Sequence, residues 1–151
     1  MRLKCITNSP SQTKKFAGIL ARQILKKGPQ KRALVLGLIG DLGGGKTTFL
    51  QGFAKGLGIR NKILSPTFVI LKSFEISNSN LKNFYHFDCY RTENPKDILN
   101  LGFSDILKNP KNIVAIEWAD KIKKILPRKQ IILEFDFVDK TKRSISLLNC
   151  G

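Results

Sequence analysis

The sequence predicts an α/β fold, a three-layer α/β/α sandwich around a small mixed sheet. Three observations predict it. Two short runs, Ala33-Leu34-Val35-Leu36-Gly37-Leu38-Ile39 and Ile113-Val114-Ala115-Ile116, carry no polar side chain, as strands buried on both faces require. Segments of helical periodicity surround them. A glycine-rich turn joins the first run to an amphipathic helix.

The elements follow in order. Ser9-Pro10-Ser11-Gln12 supplies an N-cap, Pro at the first helical position and Gln at the third, a capping box. Phe16, Ile19, Leu20 and Ile24 then mark one helical face. Lys26 and Lys27 suit the negative end of that helix, and Gly28-Pro29 stops it. The first buried strand, 33–39, leads through the glycine turn to a helix from Lys46 to about Leu57. Phe49, Leu50, Phe53, Ala54 and Leu57 form its buried stripe, and Gly58 ends it. Phe68 to Ile76 and Leu81 to Asp88 read as a hairpin about the turn Ser77-Asn78-Ser79-Asn80. Asn94-Pro95 starts a short helix carrying Ile98 and Leu101. The second buried strand ends at Glu117, and a short helix runs through Ile122 to Leu126. Two strands close the chain, one with Leu133, Phe135 and Phe137 on a face, the other with Ile145 and Leu147.

A chain of 151 residues is expected to form one domain over 1–151. It can bury roughly 68–70% of its unfolded surface without staples. Hydrophobic residues at 42% and charged residues at 25% fit an ordinary globular domain and exclude a disordered or fibrous one. No run of 18 apolar residues and no signal peptide is visible, so a cytoplasmic address and no membrane contact are expected. Cys5, Cys89 and Cys150 lie far apart and read as free thiols. The net charge of +16 attracts phosphates and makes nucleic acid a natural partner, with tRNA contact through the basic surface one candidate. The basic residues form short pairs (Lys14-Lys15, Lys26-Lys27, Lys123-Lys124) with no interleaved aromatics, so the charge fits a solvated lysine-rich face as well as an RNA surface.

Gly40-Asp41-Leu42-Gly43-Gly44-Gly45-Lys46-Thr47 fits the P-loop pattern at every position. Glycines let the backbone curl into a nest of N–H groups facing one anion, and the following helix adds its positive end. Lys46 then reaches the β and γ phosphates, Thr47 ligates Mg²⁺, and Gly43 and Gly44 keep side chains away from the phosphates. The cofactors expected are ATP and Mg²⁺, and the fold becomes a P-loop NTPase-like sandwich. Such a site needs a carboxylate at a neighbouring strand end. Glu117 is the better metal acid, because parallel strands deliver their C-terminal residues to the edge where the P-loop sits. Asp88 is a candidate second metal or water-orienting group, and for both acids a salt bridge to one of the many Lys or Arg side chains is the alternative reading. His86 reads as a packed, hydrogen-bonded residue rather than a base. Trp118 is core or a contact surface, and Ser65-Pro66-Thr67 is a rigid turn suited to a switch loop.

The whole pattern resembles the TsaE family of ATPases in bacterial threonylcarbamoyladenosine synthesis on tRNA. The landmarks are Gly40 to Phe49, Ser65-Pro66-Thr67-Phe68, His86-Phe87-Asp88-Cys89-Tyr90-Arg91 and Glu117-Trp118-Ala119. Gly44 stands where the family usually has Ala, and Cys89 where an aliphatic residue is usual. The resemblance implies partners, TsaB and TsaD, with ATP hydrolysis resetting the complex between cycles. It implies that Lys46 and Thr47 hold phosphate and Mg²⁺, that Glu117 is the second metal residue and that Asp88 is needed for hydrolysis. It also implies nucleotide contacts from Leu42, Gly43, Gly44 and Gly45, and near Pro10, Asp120 and Lys140. Trp118 and the Ser65-Pro66-Thr67 loop look like switch and interface elements. The rival readings are a small-molecule kinase, for which no lid insertion is evident, and a nucleotide-dependent RNA-binding module.

Overall fold

The structure, a computed structural model, describes residues 2–41, 45–61, 63 and 70–150, without the side chains of 149 and 150. Among them the elements run β1 (Arg2–Thr7), α1 (Pro10–Lys27), β2 (Leu34–Ile39), α2 (Lys46–Gly56), β3 (Leu71–Glu75), β4 (Asn83–Asp88), α3 (Lys96–Leu99), α4 (Phe103–Lys108), β5 (Asn112–Glu117), a 3₁₀ segment (Ala119–Ile125), β6 (Gln130–Phe137) and β7 (Arg143–Cys150). The strands form one mixed sheet in the order β1-β7-β6-β2-β5-β4-β3. Its centre is parallel: β2 pairs with β5 and β6, and β4 with β5. The outer pairings, β3 with β4, β6 with β7 and β7 with β1, are antiparallel.

Alternation along the strands splits the core in two. Leu36, Leu38, Phe84, Ile113, Ala115 and Leu133 pack with α1 and α2 on one face. Val35, Phe87, Val114 and Ile116 pack with α3, α4 and the 3₁₀ segment on the other. The sandwich is therefore three layers deep, as the buried strands foretold. By the same alternation His86, Asp88 and Glu117 fall on the α2 face.

The first helix begins and ends as expected. Gln12 N–H donates to Ser9 Oγ at 3.1 Å, and Gly28 closes the helix at φ +78°. The capping box is looser than the sequence pattern: Gln12 Oε1 accepts from Asn8 N–H, not from that of Ser9. The buried face also differs from the expected one. It is Thr13, Ala17, Gly18, Ala21 and Ile24, whereas Ile19 is 44% exposed. The reason is close approach. A Cβ on Gly52 of α2 would stand 2.4 Å from the Lys14 backbone, and one on Gly56 would stand 2.8 Å from Gly18 Cα. Helices that near each other admit only small residues at the seam.

Other elements depart modestly. β1 was not foreseen; it is an edge strand with Leu3 and Ile6 half-exposed, held by pairing with β7. β3 and β4 are shorter than expected, because Ile76 and Leu81 leave the ladder to enter the core beside α1. Phe68 and the residue after it lie outside the described residues. Leu101 is exposed, and Phe103 and Leu107 of the unforeseen α4 fill that part of the core instead. The last short helix begins at Ala119 and is 3₁₀. Among the described residues no helix is long and apolar enough to cross a membrane. Cys5 and Cys89 are free thiols, as expected.

Candidate functional site

The site forms where β2, β4, β5 and β6 end. Gly40 follows β2 at φ +148°, and a Cβ there would meet the Phe135 carbonyl oxygen at 2.5 Å, so β6 leaves room for glycine alone. Gly45 adopts the left-handed conformation at φ +98° and caps α2. At both described ends of the loop the backbone thus takes conformations that favour glycine. Leu42, Gly43 and Gly44 lie outside the described residues, as does Ser65-Pro66-Thr67.

Lys46 and Thr47 open α2. Lys46 is only 5% exposed. Its Nζ donates to the Gly40 and Asp41 carbonyls, the latter at 2.9 Å, and stands 4.3 Å from the centre of the Trp118 ring. Burial lowers its pKa, and the charges of Glu117, Asp41, Asp120 and Asp88 oppose that shift. Thr47 Oγ1 donates to Glu117 Oε1 at 3.3 Å. The other oxygen, Oε2, lies 2.8 Å from His86 Nε2. Both members of that pair are buried, at 1% for His86 and 3% for Glu117. Asp88 lies opposite Glu117 in the β4–β5 register. Burial raises its carboxyl above the usual range, while the Tyr90 N–H donated to Oδ1 at 3.0 Å pulls it back.

Trp118 follows Glu117 in the left-handed region, φ 58° and ψ 43°, a strain of roughly 1–3 kcal/mol for a non-glycine residue. That turn lays the indole over Lys46 and against Tyr90, ring centres 5.1 Å apart. Trp118 is thus both packed against the core and part of the surface at the site. Asp120 is exposed on the 3₁₀ segment, near enough for its charge to act on Lys46. Pro10 is exposed at the start of α1. Lys140 is exposed in the β6–β7 turn. That turn reaches the loop through Arg143, whose Cγ would lie 3.6 Å from a Cβ on Gly45. Arg143 donates to the Asp139 carbonyl at 2.7 Å and lies over the Phe137 ring.

Sequence reasoning singled out Lys46, Thr47, Asp88 and Glu117 separately, and these four converge. It missed that His86 holds Glu117, although His86 and Asp88, two apart on one strand, must share a face. It missed Arg143 altogether, since no motif marks it. The donor set fits Mg²⁺: the Thr47 hydroxyl and a Glu117 carboxylate oxygen are hard ligands, and Mg²⁺ takes few protein oxygens beside phosphates and water. Among the described residues no group of three or more His, Cys, Asp or Glu could hold a metal alone.

Residues 7–145 match the family described as threonylcarbamoyl adenosine biosynthesis protein TsaE. The chain belongs to the TsaE family. A Haemophilus influenzae tRNA threonylcarbamoyladenosine biosynthesis protein TsaE is 36% identical over 89% of this chain and 79% of its own length. The Bacillus subtilis protein of that name is 36% identical over 99% of this chain and 87% of its own. The crystal structure of Bacillus subtilis YdiB superposes with a TM-score of 0.79 at 32% identity, covering 100% of this chain and 87% of that one. The TsaE assignment agrees with the nucleotide-binding fold and places the chain among proteins of a tRNA modification, threonylcarbamoyladenosine synthesis.

Proposed function

We propose that this chain, one domain over 1–151, binds and hydrolyses ATP with Mg²⁺ as a subunit that joins TsaB and TsaD. In that complex hydrolysis resets the machinery between rounds of threonylcarbamoyladenosine formation next to the anticodon. The observation that carries the reading is the Thr47–Glu117 hydrogen bond, which joins the P-loop helix to the acid at the end of β5. Gly45, Lys46 and Thr47, with Leu42, Gly43 and Gly44, hold the phosphates; Thr47 and Glu117 hold Mg²⁺; Pro10, Asp120 and Lys140 line the nucleoside side. Thr47 and Glu117 would hold Mg²⁺, which when bound would supply positive charge to offset that of the phosphates. Lys46 leaves the Gly40 and Asp41 carbonyls for phosphate oxygens. Asp88 orients the attacking water, whose oxygen bonds to the γ phosphorus as the bond to the β-phosphate oxygen breaks. Asp88 takes up the water's proton as that bond forms.

Partner dependence has a physical motive. Arg143 stands beside Gly45, yet its guanidinium is bound to the main chain of its own turn. A missing arginine finger costs other P-loop enzymes roughly 10³–10⁵ in rate. The test has two arms. ATP with Mg²⁺ at about 100 times its dissociation constant should stabilise the chain by ~2.7 kcal/mol, an effect mostly lost in Lys46→Ala. Phosphate release should be slow for the chain alone and rise with TsaB and TsaD. An unchanged shift in the mutant refutes the phosphate assignment, and equal rates with and without partners refute the coupling.

A further inference from the structure

We infer that His86 is a positioning residue: it pins one oxygen of Glu117 so that the other faces Thr47 and the metal. The inference rests on the reading of Glu117 as a metal acid. A carboxylate has two equivalent oxygens and about four lone-pair directions, and rotation about its last bond exchanges them. Here the two oxygens have different partners. Oε2 meets His86 Nε2 at 2.8 Å, and Oε1 accepts from Thr47 at 3.3 Å.

The sheet register explains how the imidazole arrives there. His86 pairs with Ala115, two residues before Glu117, and the residue directly opposite Glu117 is Asp88. Diagonal neighbours across a ladder lie within reach of a long or aromatic side chain. The ring therefore leans toward the strand end and places a donor on the acid's inner oxygen. At 1% exposure the ring is shielded from bulk solvent. Among the described residues Nδ1 has no partner, so the ring's polar contact is the one with Glu117. Groups that orient metal-ligating side chains in this way are worth about 10- to 100-fold in metal affinity elsewhere.

Two amides separate positioning from simple core filling. Gln at 86 can place an amide N–H near the position of Nε2, and Asn stops one methylene short. The measurement is Mn²⁺ binding at saturating ADP, read from the resonance of free Mn²⁺, with metal-free ADP affinity as a control. His86→Gln should stay within about threefold of wild type, and His86→Asn should bind Mn²⁺ about 10-fold or more weakly. Metal-free ADP binding should be equal in all three. If Gln and Asn behave alike, both weakened or both unaffected, the positioning role is overturned. Should the Asn variant fail to fold, His86→Leu, which has no donor, takes its place with the same expectation. Glu117→Gln keeps the two failures apart: wild-type Mn²⁺ affinity there refutes Glu117 as a metal acid, whereas weak binding there with unaffected position-86 variants refutes only the role of His86.

Discussion

Lys46 directs its ammonium at two main-chain carbonyls and an indole face. Its pKa is lowered by burial, so the unfolded chain binds the proton more tightly than the native one. Native stability therefore rises with pH as the medium passes from the depressed value toward 10.5. Cys89 shows the opposite sign. Burial pushes its thiol from 9.0 to about 12, so the unfolded chain ionises first. Its contribution is intact below 9.0 and is lost as pH rises toward about 12. We expect Cys89 to resist iodoacetamide at neutral pH in the native protein and to react after denaturation, while the partly exposed Cys5 reacts in both. Mass spectrometry of the two peptides checks this, and native labelling of Cys89 at the rate of Cys5 would contradict the burial.

The pair α1 and α2 shows how an element's surface is set by its neighbour. Large apolar residues at helical spacing, Phe16, Ile19, Leu20 and Ile24, point to a face that the structure only partly buries. The true seam sets the Lys14 backbone, Gly18 and Ala21 against Gly52 and Gly56, and small residues leave no hydrophobic signal in a sequence. Gly52→Ala should destabilise the fold by about 1–3 kcal/mol despite the better helix propensity of Ala, because its methyl meets backbone atoms of Lys14 that cannot turn aside. Urea unfolding at constant m-value measures the loss, and a neutral or stabilising outcome would mean that the helices separate freely. The P-loop helix was legible throughout. Phe49, Leu50, Phe53, Ala54 and Leu57 are all buried, because this stripe faces a sheet and needs bulk.

Across the whole molecule basic residues outnumber acidic ones, for a net charge of +16. Asp41, Asp88, Glu117 and Asp120 act on Lys46 with their charges, and the chain as a whole carries 27 basic against 11 acidic residues. The basic surface should bind RNA without sequence preference. With about three phosphate contacts, affinity should fall at least about 10-fold between about 50 and about 200 mM salt. Lys46→Ala should leave that binding intact, as a filter-binding titration can show; salt-independent binding would instead require a built RNA site. The buried strands, the glycine turn, the helix after it and the acids at the strand ends were legible from the chain, because each is encoded within a few neighbouring residues. It took the folded sheet to reveal that β6 runs parallel beside β2 and bars any side chain from Gly40, and that Arg143 lies against Gly45. The fold also sets Glu117 between Thr47, 70 residues away, and His86, 31 residues away. Such contacts depend on strand order and register, which backbone hydrogen bonding and burial settle over the whole sheet at once.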